Sequence, residues 1–292
     1  METRYSNFFR VRNLAKYVSI YQRGVHLILL NARITKKSFQ RWSIIEKFSH
    51  STFSLIDKAY SQNKDTNYFL KKLKVKKITS IGNLKFIEHD DFETNQADKK
   101  LFSQFRKYKT FVAASTHNTE ELFAAKTHIL LKKKIKNIIT IIIPRHINRV
   151  GQIISQINEL GLNVISRRSN KKKLDNIDIY LVDTFGESKK FYKFATTVFL
   201  GGSIIKKGGQ NPLEPARFGA KILHGPNVDN FRDVYKYLNQ LEISSSINTP
   251  QQCANSIIFK KNMKKAKKMK YLGTTILKKT LNELDKSIHN EI

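Results

Sequence analysis

The chain has 292 residues, 40% of them hydrophobic, and 54 Lys and Arg stand against 23 Asp and Glu for a net charge of +31. That length supplies one large or two ordinary domains with a sizeable core, and the charge suits nucleic acid, an anionic membrane face or a phosphorylated substrate. The single cysteine, Cys253, excludes an internal disulfide and a cysteine zinc cage, and no apolar run nears the roughly 18 residues of a spanning helix. Lysine recurs in nearly every segment beside abundant Ile and Asn, a pattern that biased codon usage produces as readily as a basic partner does. The basic residues are dispersed and form no aromatic-interleaved motif of a known type, so no nucleic-acid partner is expected.

Strand and helix signals alternate from the start. His26 to Leu30 (HLILL) reads as a buried strand ending in Asn31-Ala32-Arg33, followed by a helix from about Thr35 to Phe48 and a strand-like Thr52 to Ile56. A lysine-rich helix over Asn67 to Leu73 precedes a strand at Lys77 to Ile81, which stops at Gly82-Asn83. Residues 88–110 are charged and polar and read as a linker. Beyond it come strands at Phe111 to Ala114, Ile138 to Ile143, Asn163 to Ser166, Ile177 to Val182, Thr197 to Leu200 and Ile222 to His224. Between and after them lie helices from about Thr119 to Lys132, Gln152 to Leu160 and Asn230 to Asn239. The tail, Gln251 to His289, reads as two lysine-rich helices. Strands alternating with helices predict a parallel sheet that binds its ligand beyond the strand C-termini.

Four loops leave such strand ends: Ser115-Thr116-His117, Pro144-Arg145-His146, Asp183 to Glu187, and Gly201 to Glu214. Arg145, permanently charged and forked, suits a phosphate. Gly186 lets a base ring lie against backbone, and Glu187 can accept from an amine or a hydroxyl. At Gly201-Gly202-Ser203 a bare backbone and a hydroxyl can approach a ligand. A second glycine pair, Gly208-Gly209, leads to a helix start with Asn211 as N-cap, Pro212 at the first helical position and Glu214 in the first turn. Amides and dipole there favour an anion, and Glu214 can accept from sugar hydroxyls, which together describe a nucleotide. His117 and His146 lack the spacing that completes a metal set, so no metal and no cofactor is expected.

The string GGS followed by QNPLEPARFGAKILHGP resembles the nucleotide-binding stretch of the 3-deoxy-D-manno-octulosonic acid (Kdo) transferases of lipopolysaccharide synthesis. Further segments are similar to that family: NARITKKSFQRW, IGNLKF, AASTHNTEE, IIIPRHINR and LVDTFGESKKFY. The resemblance implies an α/β chain of two Rossmann-like domains (GT-B), the first incomplete. Residues 1–87 are then the rear of the acceptor-side domain, 88–110 the linker, and 111–292 the CMP-sugar-binding domain with its helical tail. It implies transfer of Kdo from CMP-Kdo to a lipid A precursor (lipid IVA). Pro144, Arg145, Phe185, Gly186, Glu187, Asn211, Pro212, Leu213 and Glu214 are implied to hold CMP, with Ser203 beside them. Phe185 stands where methionine is usual, and Gln210 where histidine is.

Glu2 and Lys85 match positions that the family uses to stabilise the transition state. The family's general base, a glutamate near the start of the first domain, has no counterpart here. The isolated chain is therefore expected to be nearly inactive, and a catalytically impaired nucleotide-sugar-binding fragment is the alternative reading. The first residues, METRYSNFFRVRN, lack a signal peptide's apolar region. Contact with an anionic membrane is expected to be peripheral, on the cytoplasmic face of the inner membrane.

Overall fold

The structure, a computed structural model, describes residues 22–87, 96–169 and 173–289. The chain divides into two compact units: one holds the described residues up to position 87 and those from Leu272 onward, and the other runs as far as Tyr271. Both are α/β with all-parallel sheets, as the alternating pattern demands.

The first sheet has the order β1 (Ile28–Ala32), β2 (Lys58–Ser61), β3 (Lys77–Ser80). Its core gathers Ala32, Phe53, Ile56, Ala59, Leu70, Leu73 and Val75. Two sequence expectations fail here. Thr52 to Ile56 is not a strand; helix Glu46–Phe53 runs through its start, with the Thr52 hydroxyl donating to the Phe48 carbonyl at 2.7 Å, and the strand lies a few residues later. The first strand is also less buried than its apolar run suggests. It is an edge among the described residues, and Ile28 and Leu30 remain 39% and 43% exposed.

The second sheet has seven strands. They are β4 (Lys109–Thr116), β5 (Ile138–Pro144), β6 (Val164–Ser166), β7 (Ile179–Leu181), β8 (Thr197–Leu200), β9 (Lys221–His224) and β10 (Ser244–Ser246), in the order β10-β9-β8-β4-β5-β7-β6. Every residue of β5, IITIIIP, is buried, as expected of a central strand covered on both faces. The chain moves one way from β4 through β5 and then returns to place β8 on the other side of β4. The switch point therefore lies between β4 and β8, where such sheets open a crevice at their carboxyl ends.

Two boundaries differ from the sequence reading. Positions 88–95 of the expected linker lie outside the described residues, but helix Gln96–Phe105 is packed into the second unit. Phe105 is buried against Tyr180 and Phe194, with ring centroids 5.1 and 5.4 Å away. The last helix, Met263–His289, does not stay with the second unit either. Its end packs on the first sheet, where the buried Tyr60 hydroxyl donates to the Glu283 carbonyl at 2.7 Å. Gly273 permits this approach, because a Cβ there would lie 2.3 Å from the Phe86 carbonyl oxygen. Among the described residues no helix is long and apolar enough to cross a membrane.

Candidate functional site

The four expected loops leave β8, β4, β5 and β7, which are consecutive neighbours in the sheet. Backbone bonds tie their tips together: the Arg145 amide donates to Thr116 O and the Gly201 amide to Ala114 O, both at 2.9 Å. Gly201 is there because the strands converge; a Cβ would lie 2.4 Å from Ser115 O and 2.6 Å from the Thr116 Cα. The end of β4 and the loop after it store strain, with Ser115 at φ 55° and Thr119 at φ 76°, conformations costly for residues with a Cβ and concentrated at functional sites.

What holds this loop is Glu120, fully buried at the start of helix Glu120–Lys132. Its carboxylate accepts from the amides of Gly202 (2.6 Å), Ser203 (3.1 Å), Ile204 (2.9 Å) and His117 (3.0 Å). The Gly202 and Ser203 amides of the turn, expected to meet a ligand, are thus taken by the protein's own carboxylate, and the Gly201 amide by Ala114 O. Ser203 is likewise turned inward. Its buried hydroxyl donates to Leu200 O and accepts from the Gly225 amide at 2.8 Å, so it clamps the turn and faces no ligand.

Above the turn sit His117 and Gln210, both within 3.4 Å of where a Gly202 Cβ would lie. The His117 and His146 rings meet edge to face at 5.4 Å. Burial pushes the His117 pKa down; Glu120 opposes that, and the charges of His146, Lys207 and Arg145 reinforce it. Arg145, Lys207 and His146 thus lie close enough to act on a neutral His117 imidazole, whose buried Nε2 bonds to no described residue. Lys207 was not singled out by sequence, being one lysine among many. Pro144 is buried at the end of β5 and delivers Arg145 and His146, both exposed, to this edge.

On the β7 side, Phe185 is 75% exposed, an unusual position for a phenyl ring and one where a flat base can stack. Gly186 beside it has φ 76° and open space where a Cβ would be. Glu187 differs from its expected role as an acceptor from ligand. Arg167 donates to both its oxygens, at 3.0 and 2.9 Å, and Lys190 (3.0 Å) and the Thr184 hydroxyl donate as well. A carboxylate offers about four acceptor positions, so Glu187 is saturated and acts by fixing the loop. Arg167 and Lys190 also pair with the buried Asp98, which ties helix Gln96–Phe105 into the same network.

Burial raises the carboxyl pKa values of Glu187 and Asp98, but bonds from Arg167 and Lys190, with Thr184 also serving Glu187, outweigh it and hold both below their ordinary 4.5 and 3.8. Depressed carboxyls contribute stability that is present above the unfolded pKa and lost as pH falls through the folded one. Glu187→Gln is therefore expected to cost about 2 kcal/mol at neutral pH. The gap from wild type should start to narrow only once pH falls below the ordinary 4.5 and shrink further as the pH drops, as read by denaturant unfolding across pH.

The helix start near Pro212 is shifted by one residue. The helix is Leu213–Arg217, Pro212 precedes it, and Asn211 Oδ1 accepts from the Leu213 amide at 3.1 Å. Five residues make a weak dipole, so the cationic side chains, not the helix end, carry the positive field here. Leu213 and Pro212 are buried, while Glu214 is half-buried with its charge near the buried Tyr192. The glycine-rich loop is pinned by the Gly209 amide to Gly202 O (2.8 Å) and the Tyr235 hydroxyl to Gln210 O (3.0 Å).

The first unit has its own strand-end cluster. Asn31, at φ 56°, accepts from the Leu84 amide at 3.1 Å and so joins the ends of β1 and β3. Lys85 lies in the turn Leu84–Phe86; burial first, and the Arg33 charge second, lower its pKa. Arg33 is thus a second cation at this edge, in the NAR segment but not singled out from sequence. Glu2 lies outside the described residues.

Comparison with known proteins supports the resemblance. The family described as 3-deoxy-D-manno-octulosonic-acid transferase (kdotransferase) matches residues 16–88. A 3-deoxy-D-manno-octulosonic acid transferase of Rickettsia prowazekii is 31% identical over 257 residues, 86% of this chain and 54% of the relative. That of Haemophilus influenzae is 26% identical over 250 residues, 82% of this chain and 58% of the relative. Over most of its length the chain is similar to Kdo transferases. It spans about half the length of these relatives. In fold, the chain is similar to the C-terminal CMP-Kdo binding domain of WaaA from Acinetobacter baumannii. The TM-score is 0.52 at 20% identity, over 62% of this chain and 97% of that one. It is also similar to the trehalose-6-phosphate synthase OtsA, with a TM-score of 0.52 at 10% identity over 96% of this chain and 70% of that one.

Proposed function

We propose that this chain is a member of the Kdo transferase family and moves Kdo from CMP-Kdo to a lipid A precursor, lipid IVA, at the cytoplasmic face of the inner membrane as a peripheral protein. In this reading the first unit serves the acceptor and the second holds CMP. The observation that carries it is the grouping of Arg145 and Lys207 with the paired rings of His117 and His146, at the carboxyl edge of a parallel sheet and one strand from the exposed ring of Phe185.

Each part has a chemical task. Cytosine stacks on Phe185 against the bare backbone of Gly186, whose loop Glu187 and Arg167 keep rigid. Glu214 accepts from ribose hydroxyls, with Asn211, Pro212 and Leu213 setting its position. Pro144 presents Arg145 to the phosphate. As the acceptor hydroxyl attacks the anomeric carbon, the bond to the CMP phosphate breaks and negative charge grows on the departing oxygen. Arg145 and Lys207 neutralise that charge in place, which is worth most in the transition state. Lys85 and Arg33 suit a phosphate or carboxylate on the acceptor side, and the resemblance assigns transition-state stabilisation to Glu2 and Lys85. Proton removal from the attacking hydroxyl is assigned to no residue of this chain.

Mass spectrometry of lipid IVA incubated with the chain and CMP-Kdo tests the reading. A Kdo-bearing lipid is expected to form only when CMP-Kdo and lipid IVA are both present. Bound CMP-Kdo with no Kdo-bearing lipid at any time would contradict transfer.

A further inference from the structure

Helices Lys36–Ile44 and Glu46–Phe53 meet at Ile45 and form an outward corner of the first unit. Helical spacing sends Phe39 and Trp42 inward, where Phe39 stacks on Phe69 at 4.7 Å and Trp42 meets Phe53 edge-on at 5.2 Å. Those contacts complete the inner face, yet three more apolar side chains follow. Ile44 is 82% exposed, Ile45 47% and Phe48 40%. Exposed cations flank them: Lys37 and Arg41 lie on the Ile44 side of the first helix, and Lys47 precedes Phe48, with Glu46 the one acid between Lys36 and Phe48.

An apolar tip ringed by basic residues costs solubility in water and is matched by one kind of surface. Such a tip enters the boundary between headgroups and acyl chains while its lysines and arginines stay with anionic phosphates. Ile44, Ile45 and Phe48 are exposed where two helices meet, so a lipid surface can take them without a preformed groove. We propose that the Ile44-Ile45-Phe48 corner docks the protein on an anionic lipid bilayer. The proposal rests on the lipid-acceptor reading above and adds which surface meets the membrane.

Trp42 is the chain's one tryptophan and sits two residues from the tip, so it reports insertion without labelling. The test uses the full chain with phosphatidylcholine vesicles, with and without phosphatidylglycerol. Wild type is expected to float with the anionic vesicles only, to lose binding as salt rises, and to show Trp42 emission that shifts blue and is quenched by brominated acyl chains. The Ile44→Ser, Phe48→Ser double variant should partition about tenfold more weakly or worse. The Arg41→Glu, Lys47→Glu variant should lose the preference for phosphatidylglycerol. All four positions are exposed, so unchanged circular dichroism and CMP titration are expected to accompany these losses. Those two readouts separate failure of the docking surface from failure of the nucleotide site. Wild-type flotation of the Ser variant, or Trp42 emission indifferent to bound vesicles, would overturn the proposal. It would fall equally if Leu277→Ser, Leu281→Ser on the last helix abolished flotation while the corner variant kept it. Self-association in sedimentation that the Ser variant abolishes, without any vesicle binding, would reassign the corner to a second copy.

Discussion

Replacing Arg145 with alanine is expected to weaken CMP binding roughly 10- to 150-fold, the loss of a charge-assisted contact of about 1.5–3 kcal/mol. The size follows from chemistry and placement together. A guanidinium bonds two phosphate oxygens at once, and the Arg145 backbone is already fixed by the hydrogen bond from its amide to Thr116 O at 2.9 Å, so only the side chain has to be ordered on binding. Arg145→Lys should recover only part, because an ammonium keeps the charge and loses the fork. Calorimetric titration of the three proteins with CMP checks this ranking, and equal affinities would remove Arg145 from the site.

Glu120→Ala should have the largest effect on stability. Four backbone amides lose their acceptor in a fully buried position, and even with water entering the vacancy the cost is about 4 kcal/mol. For a unit of this size that lowers the melting temperature by about 10 °C. Glu120→Gln should be nearly as damaging, since its NH₂ group would face amides that also donate. The neighbouring Glu121, buried and bonded to Arg149 at 3.2 Å, serves as comparison; Glu121→Gln keeps an acceptor and should cost less. Differential scanning fluorimetry of the three variants measures the order. A Glu120→Ala protein melting with wild type would mean that the turn does not depend on this carboxylate.

Much of the second unit was legible because its strands are short apolar runs between turn residues, and β5, with IITIIIP, could hardly be anything else. The four site loops followed from that alternation. What the chain concealed has specific physical causes. Ser244–Ser246 carries no apolar signature, and backbone pairing with Ile222, Leu223 and His224 alone makes it a strand. Glu120 looked like an ordinary acid in a first helical turn; that it reaches amides 82 to 84 residues away depends on β8 returning beside β4. Glu187 looked free for a ligand until Arg167, 20 residues earlier, was found across both its oxygens. Single charges in a lysine-rich sequence say little about their partners, because pairing is decided by sheet order. The glycines were more informative: Gly201 and Gly186 mark a close approach and a bare surface that no other residue allows.

In the proposed function the loops at the carboxyl ends of β8, β4, β5 and β7 hold a cytidine nucleotide. Titrating the full chain with CMP, UMP and AMP by calorimetry tests it most directly. Saturable, one-to-one CMP binding that Arg145→Ala weakens is expected, with UMP and AMP clearly weaker because ring edge and size differ where the base meets Phe185 and Gly186. No CMP binding by a folded chain, or equal binding of all three nucleotides that Arg145→Ala leaves unchanged, would contradict it.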